Sequence, residues 1–120
     1  MKKLLTVALI ILSLLFIIPT NSLAQNNEKI LTDTFLTTLY PYINNAVTGY
    51  YGQLTQFSPA DAKVISITRK NEGGYDFDVV VTIMPFEKAH IYLGTDTVTM
   101  NVSAAGVTVI NYSHKKSKYE

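Results

Sequence analysis

From Asn27 to Tyr51 the apolar residues fall at Leu31, Phe35, Leu36, Leu39, Tyr42, Ile43, Ala46, Val47 and Tyr50. At about 100° per residue these positions share one broad face, with Asn44, Asn45 and Thr48 opposite, and the spacing predicts a helix over 27–51. Gly52 stands where a left-handed glycine ends a helix. Pro41 removes a backbone donor inside the pattern, so a kink or two abutting helices is expected. Tyr42 and Tyr50 fall on the apolar face and read as core. Tyr40 and Tyr51 fall at its border, where a ring either caps the core or lines a groove.

Beyond Asp61 the period changes from helical to two. The stretch "QLTQFSPAD", Gln53 to Asp61, shows neither period and reads as a loop tied down by Leu54 or Phe57. In "KVISITRK" Ile65 and Ile67 oppose Ser66 and Thr68, and "NEGG" supplies a tight hairpin. The next strand turns Tyr75, Phe77, Val79, Val81 and Ile83 one way and Asp76, Asp78 and Thr82 the other, until Pro85 ends regular pairing. "FEKAHIYLG" reads as a linker. "TDTVTMNVS" then alternates, with Val98, Met100 and Val102 on one face and Thr97, Thr99 and Asn101 on the other. "AAG" closes a three-residue hairpin with Gly106 at the positive-φ position, and "VTVINYSHK" is the last strand. The expected fold class is α+β: one long, Pro-kinked helix packed on a four-stranded antiparallel meander, with strands at about 63–70, 75–84, 96–103 and 107–115.

The N-terminus departs from this pattern. Lys2 and Lys3 precede an uncharged run from Leu4 to Ile18, and Ser22-Leu23-Ala24 forms an A-x-A-type site, which is the layout of a secretory signal. The run falls short of the about 20 residues that a membrane-spanning helix needs, so a signal helix over 1–24, cleaved near Ala24, is expected rather than a retained anchor. Cleavage leaves a single domain, 25–120, and carries away two of the ten basic residues, so the formal charge passes from +1 to −1. That balance excludes nucleic acid, and any membrane contact beyond the signal segment, as partners. The chain contains no Cys, so burial and backbone pairing alone must hold a monomeric domain.

Candidate chemistry is sparse. Glu87 and His90 form an E-x-x-H, but a metal needs more ligands than two, so none is expected there. His114 is followed by two lysines near the terminus and reads as a solvated edge residue. Asp76 and Asp78 share a strand face, which alternation explains as the solvated side of a half-buried strand. Neither a Cys nor a G-x-S-x-G elbow offers a nucleophile. Asn101-Val102-Ser103 and Asn111-Tyr112-Ser113 match a short glycosylation pattern that chance supplies easily.

Taken together, "LYPYINNAVTGYYG", "DAKVISITR", "EGGYDFDVVV", "FEKAH" and "GVTVINYSHK" resemble, in order, a family of small exported proteins of spore-forming Gram-positive bacteria known as domain of unknown function 3888. The resemblance rests on Pro41-Tyr42-Ile43, Tyr50-Tyr51-Gly52, Asp61-Ala62-Lys63, Gly73-Gly74 and Phe86 to His90. Two departures stand out: Ile91-Tyr92-Leu93-Gly94 replaces a proline-rich turn, and Lys88 stands where a glycine is usual. The resemblance implies an exported single domain and no reaction. A helix followed by four antiparallel strands is also the order of cystatin-like folds, an analogy that carries no function. The glutamine-valine-glycine hairpin by which cystatins enter proteases is absent.

These features lead to the expectation of a secreted or cell-envelope, non-enzymatic interaction module with no catalytic residue, no metal and no cofactor. Its partner is expected to be an extracytoplasmic protein or peptide, met through Tyr40, Tyr51, His90 and Tyr92. One alternative is a small-ligand pocket between helix and sheet, walled by Tyr42, Tyr50, Phe77 and Met100. The other is a hydrolase or metal site around His90 with Glu87 and Asp76 or Asp78.

Overall fold

The structure is a computed structural model that describes residues 1–14, 21–88 and 91–117. It divides into two compact units, Met1–Leu31 and Thr32–Glu120. The first holds α1 (Lys2–Leu14) and the beginning of α2 (Asn21–Tyr51). Leu4, Leu5, Val7, Leu9 and Ile10 of α1 are exposed. Among the described residues no helix is long and apolar enough to cross a membrane.

The described residues of the second unit contain the rest of α2 and seven strands: β1 (Gln56–Phe57), β2 (Lys63–Arg69), β3 (Asp76–Ile83), β4 (Pro85–Glu87), β5 (Ile91–Tyr92), β6 (Gly94–Ser103) and β7 (Gly106–Lys116). They form two antiparallel sheets, one ordered β2-β3-β6-β7 and a smaller one ordered β1-β4-β5. The chain is therefore α+β, with a second sheet where the sequence reads as loop and linker. Strands of two or three residues are too short to display a period, so only their pairing defines them. A 3-10 turn, Pro59–Asp61, capped by the Ser58 hydroxyl accepting from the Ala60 amide, links β1 to β2.

α2 is one helix through Pro41 and does not divide there. It ends as expected, with Gly52 at φ +69° and its amide donating to the Thr48 carbonyl at 2.9 Å. Leu36, Leu39, Ile43 and Val47 pack against Val79, Val81 and Ile83 of β3 and Val98 and Met100 of β6, and Phe57 of β1 completes this core.

The tyrosine assignment fails for the pair expected in the core and holds for the border pair, which caps the core. Tyr42 and Tyr50, expected in the core, are 39% and 50% exposed. Tyr40, expected at the border, packs on Phe57 with ring centroids 4.9 Å apart, and Tyr51 turns its hydroxyl onto Asp96. The reason lies in the neighbours of the two helix flanks. The small sheet covers the Tyr40 flank, whereas the Tyr42 and Tyr50 flank meets β7, the last strand of its sheet.

Two β-bulges set which residues face inward. In β2 the register passes from Val64 opposite Val81 to Ser66 opposite Val80, with Ile65 extra. Ile65 and Ile67, expected to form an apolar face, stay 58% and 53% exposed along this edge strand. In β7 it passes from Val109 opposite Met100 to Asn111 opposite Thr99, with Ile110 extra. Unbroken alternation from Val107 and Val109 would continue inward through Asn111 and Ser113. The bulge instead puts Tyr112 opposite Val98 and His114 opposite Asp96, on the buried face.

Two backbone positions are constrained at the small sheet and its junction with β6. Lys88, at the position where the family resemblance expects glycine, has φ +38°, in the left-handed region. Gly94 has φ +144°, and a Cβ there would lie 2.2 Å from the Lys115 carbonyl oxygen and 3.0 Å from His114 Cε1. Gly94→Ala is accordingly expected to cost about 2 kcal/mol or more, read as a lowered midpoint in urea unfolding.

Candidate functional site

Asp96 stands two residues before Val98 on the strand whose inward face also carries Met100. The same alternation that buries those side chains therefore buries a carboxylate, and Asp96 is 0% exposed. A buried charge persists only if donors replace the water it gives up. Three are present, from two elements. The Tyr51 hydroxyl, at the end of α2, donates to Asp96 Oδ2 at 2.7 Å, and the Tyr112 hydroxyl donates to the same oxygen at 2.5 Å. His114 Nδ1 lies 2.5 Å from Asp96 Oδ1 and 3.1 Å from the Tyr51 hydroxyl.

The surroundings complete the cluster. Tyr50 stacks on Tyr112 with centroids 4.7 Å apart and meets Tyr51 edge-on at 4.9 Å. Both Tyr50 and Tyr51 lie 6.0 Å from the His114 ring. Burial pushes the Tyr51 and Tyr112 phenols well above the usual tyrosine value, and the hydrogen bond to Asp96 and its negative charge push the same way. The cluster therefore keeps both hydroxyls as proton donors. Among the described residues, no buried side-chain nitrogen or oxygen lacks a partner.

Beside the cluster runs an open groove of about 470 Å³, lined by Tyr42, Asn45, Ala46, Tyr50, Val109 and Tyr112. It lies between α2 and β7 and shares Tyr50 and Tyr112 with the ring stack over Asp96. The pocket expected from the sequence is thus displaced: Tyr42 and Tyr50 line the groove, while Met100 is fully buried in packed core and Phe77 packs against it.

Three of the four residues expected to bind a partner are described, and each has its own contact. Tyr40 lies against Phe57 and Tyr51 holds Asp96. Tyr92, on β5, sets its ring edge-on to Phe86 at 6.0 Å and its hydroxyl 3.5 Å from Asp61 Oδ2. His90 lies outside the described residues. Its sequence partner Glu87 accepts from Gln53 Nε2 at 3.0 Å. Asp76 and Asp78 converge on Asn101 Nδ2, at 2.5 and 3.2 Å, and Asp78 also pairs with Lys70. Among the described residues no three His, Cys, Asp or Glu side chains are grouped as metal ligands.

His114 corrects the sequence reading: its side chain is 21% exposed and is held by Asp96, where a solvated edge residue was expected. Asp96 and Tyr112 were missed. Asp96 was recoverable, because it lies in register with Val98 and Met100. Tyr112 and His114 were not, because their inward facing depends on the bulge at Ile110.

The fold and the cluster define a class: an α+β domain whose helix and last strand meet over a buried carboxylate bound by two phenols and an imidazole. Residues 31–116 match the family described as Protein of unknown function (DUF3888), and the chain belongs to that family. Comparison with curated proteins finds no match, and comparison with solved structures finds none either.

Two outcomes follow from the cluster. Tyr112→Phe keeps the ring stack but withdraws one donor from a buried carboxylate, and a loss of about 1–3 kcal/mol is expected in denaturant unfolding. A phenol whose folded value is raised contributes stability that is whole below the unfolded value near 10 and is lost as pH climbs toward the folded value. In an ultraviolet titration, two of the eight tyrosines should therefore resist ionisation above about pH 10 until the domain unfolds.

Proposed function

We propose that the protein is exported, sheds residues 1–24, and acts at the cell envelope as a non-enzymatic module that binds an extended segment of a protein partner. The N-terminal basic pair, apolar run and small-residue site support export. The reading of the domain as cystatin-like rests on its long helix against a four-stranded antiparallel sheet. Mass spectrometry of secreted material tests the first part, the expected product beginning at Gln25.

The observation that carries the binding function is the apolar groove lying along a strand paired on one side only. β7 bonds to β6, and no described strand pairs with its other side. A peptide added there gains main-chain hydrogen bonds from β7, and its alternate side chains drop against Tyr42, Ala46, Tyr50 and Val109. The half-exposed Tyr42 and Tyr50 supply large, stiff apolar area at small entropic cost.

A peptide array of envelope-protein sequences, probed with the mature protein, should return extended segments with apolar residues at every second position. Tyr50→Ser should weaken the best of them by about tenfold or more, the effect of losing an aromatic anchor. Binding that is indifferent to Tyr42→Ser and Tyr50→Ser would refute the groove. A small apolar ligand is the second reading, favoured by the groove volume of about 470 Å³. In that case small molecules, and not peptides, would raise the melting temperature through Tyr50.

A further inference from the structure

We infer that Gln25 is a modification site: once residues 1–24 are removed, its freed amine closes on its own side-chain amide, and the mature chain begins with a pyroglutamyl ring. The inference rests on the export reading and on where α2 places this residue. Gln25 lies near the start of α2, and every residue from 23 to 34 is exposed. Phe35 is the first partly covered side chain of this stretch and Leu36 the first buried one. Unwinding the helix at Ala24 and Gln25 for a peptidase therefore uncovers no buried side chain.

Cleavage changes the chemistry of one nitrogen. Within the helix it is an amide, and its i→i−4 partner is the carbonyl of residue 21. The cut makes it an amine and carries that carbonyl away, so the nitrogen joins the donors that every helix start leaves without an intrahelical partner. The Gln25 side chain brings its own electrophile, the amide carbon Cδ, placed so that a bond to the backbone nitrogen closes a five-membered ring. Carrying both groups on one residue makes the attack intramolecular, and exposure leaves the side chain free to turn back on the amine. An α-amine with a value near about 8 keeps a neutral, nucleophilic fraction at neutral pH. Attack forms the N–Cδ bond and breaks the Cδ–Nε2 bond. The proton given up by the amine leaves with Nε2 as ammonia, with no oxidant and no second reactant.

The helix favours the product. An ammonium at the start of α2 would stand at the positive end of the helix macrodipole, whereas the lactam is neutral. The choice of residue is also sharp, because Asn26 and Asn27 follow and a terminal asparagine would have to close a four-membered ring. The ring protects an end that packing does not: the ten residues from Gln25 to Thr34 are uncovered, and an aminopeptidase needs the free amine that the lactam removes.

The test expresses the full chain in a secreting bacterial host and takes the intact mass and the N-terminal tandem mass spectrum of the secreted protein. The expected product is residues 25–120, lighter by about 17 Da for one lost ammonia, with the loss on residue 25. It should resist N-terminal sequencing until pyroglutamyl aminopeptidase is added. Gln25→Asn keeps the amide but cannot close the ring, and should be secreted at full mass with an open amine that aminopeptidase trims. An intact Gln25 at the N-terminus overturns the ring and leaves export standing, as does an ammonia loss that maps to Asn26 or Asn27. A chain that keeps residues 1–24, or begins at any other residue, overturns both.

Discussion

A carboxylate with no water around it must be surrounded by donors before the sheet can close, and Asp96 imposes that condition on everything near it. The end of α2 has to arrive where the Tyr51 hydroxyl reaches the carboxylate, which fixes how far the helix runs along the sheet before Gly52 stops it. β7 has to carry an extra residue at Ile110, because a regular strand would turn Tyr112 and His114 outward. β6 has to begin with a glycine, because a side chain at 94 would displace the Lys115 carbonyl and crowd the imidazole. Three local irregularities thus answer one electrostatic demand.

The fold's periodic parts were legible in the sequence and its irregular parts were not. The apolar spacing of Leu36, Leu39, Ile43 and Val47 marks the buried helix stripe, and the alternation of Val79, Val81 and Ile83 with Val98 and Met100 marks the facing strands. Periodicity fails where a single residue interrupts it, and the bulges at Ile65 and Ile110 each reverse the facing of the strand residues after them. It also fails where an element is too short to have a period, as in β1, β4 and β5. That second failure propagates: without the small sheet, nothing in the sequence says which flank of α2 will be covered, so Tyr42 and Tyr50 are placed in the core that they leave. The candidate site obeys the same division, with Asp96 readable from register and its partners on β7 hidden by the bulge.

The surface is divided accordingly. The covered flank of α2 is structural, with Tyr40 on Phe57 and Tyr51 on Asp96. The uncovered flank offers the rings of Tyr42 and Tyr50 beside β7, whose outer side pairs with no described strand. Tyr112 belongs to both regions, its hydroxyl on the carboxylate and its ring on Tyr50 in the wall of the groove. Whatever shifts Tyr112 therefore acts on the interior and on the groove together.

The bonds to Asp96 also have an order in time. They join residues 16, 18 and 45 positions apart, and the Tyr51–His114 contact spans 63. A chain made from its N-terminus has its helix and its first hairpin before Asp96 and His114 exist, and the long loops that join Tyr51 to β6 and β7 cost more closure entropy than the β6–β7 hairpin. The core around Asp96 cannot close until β7 has been made. The last strand of the large sheet is thus the element that completes the core.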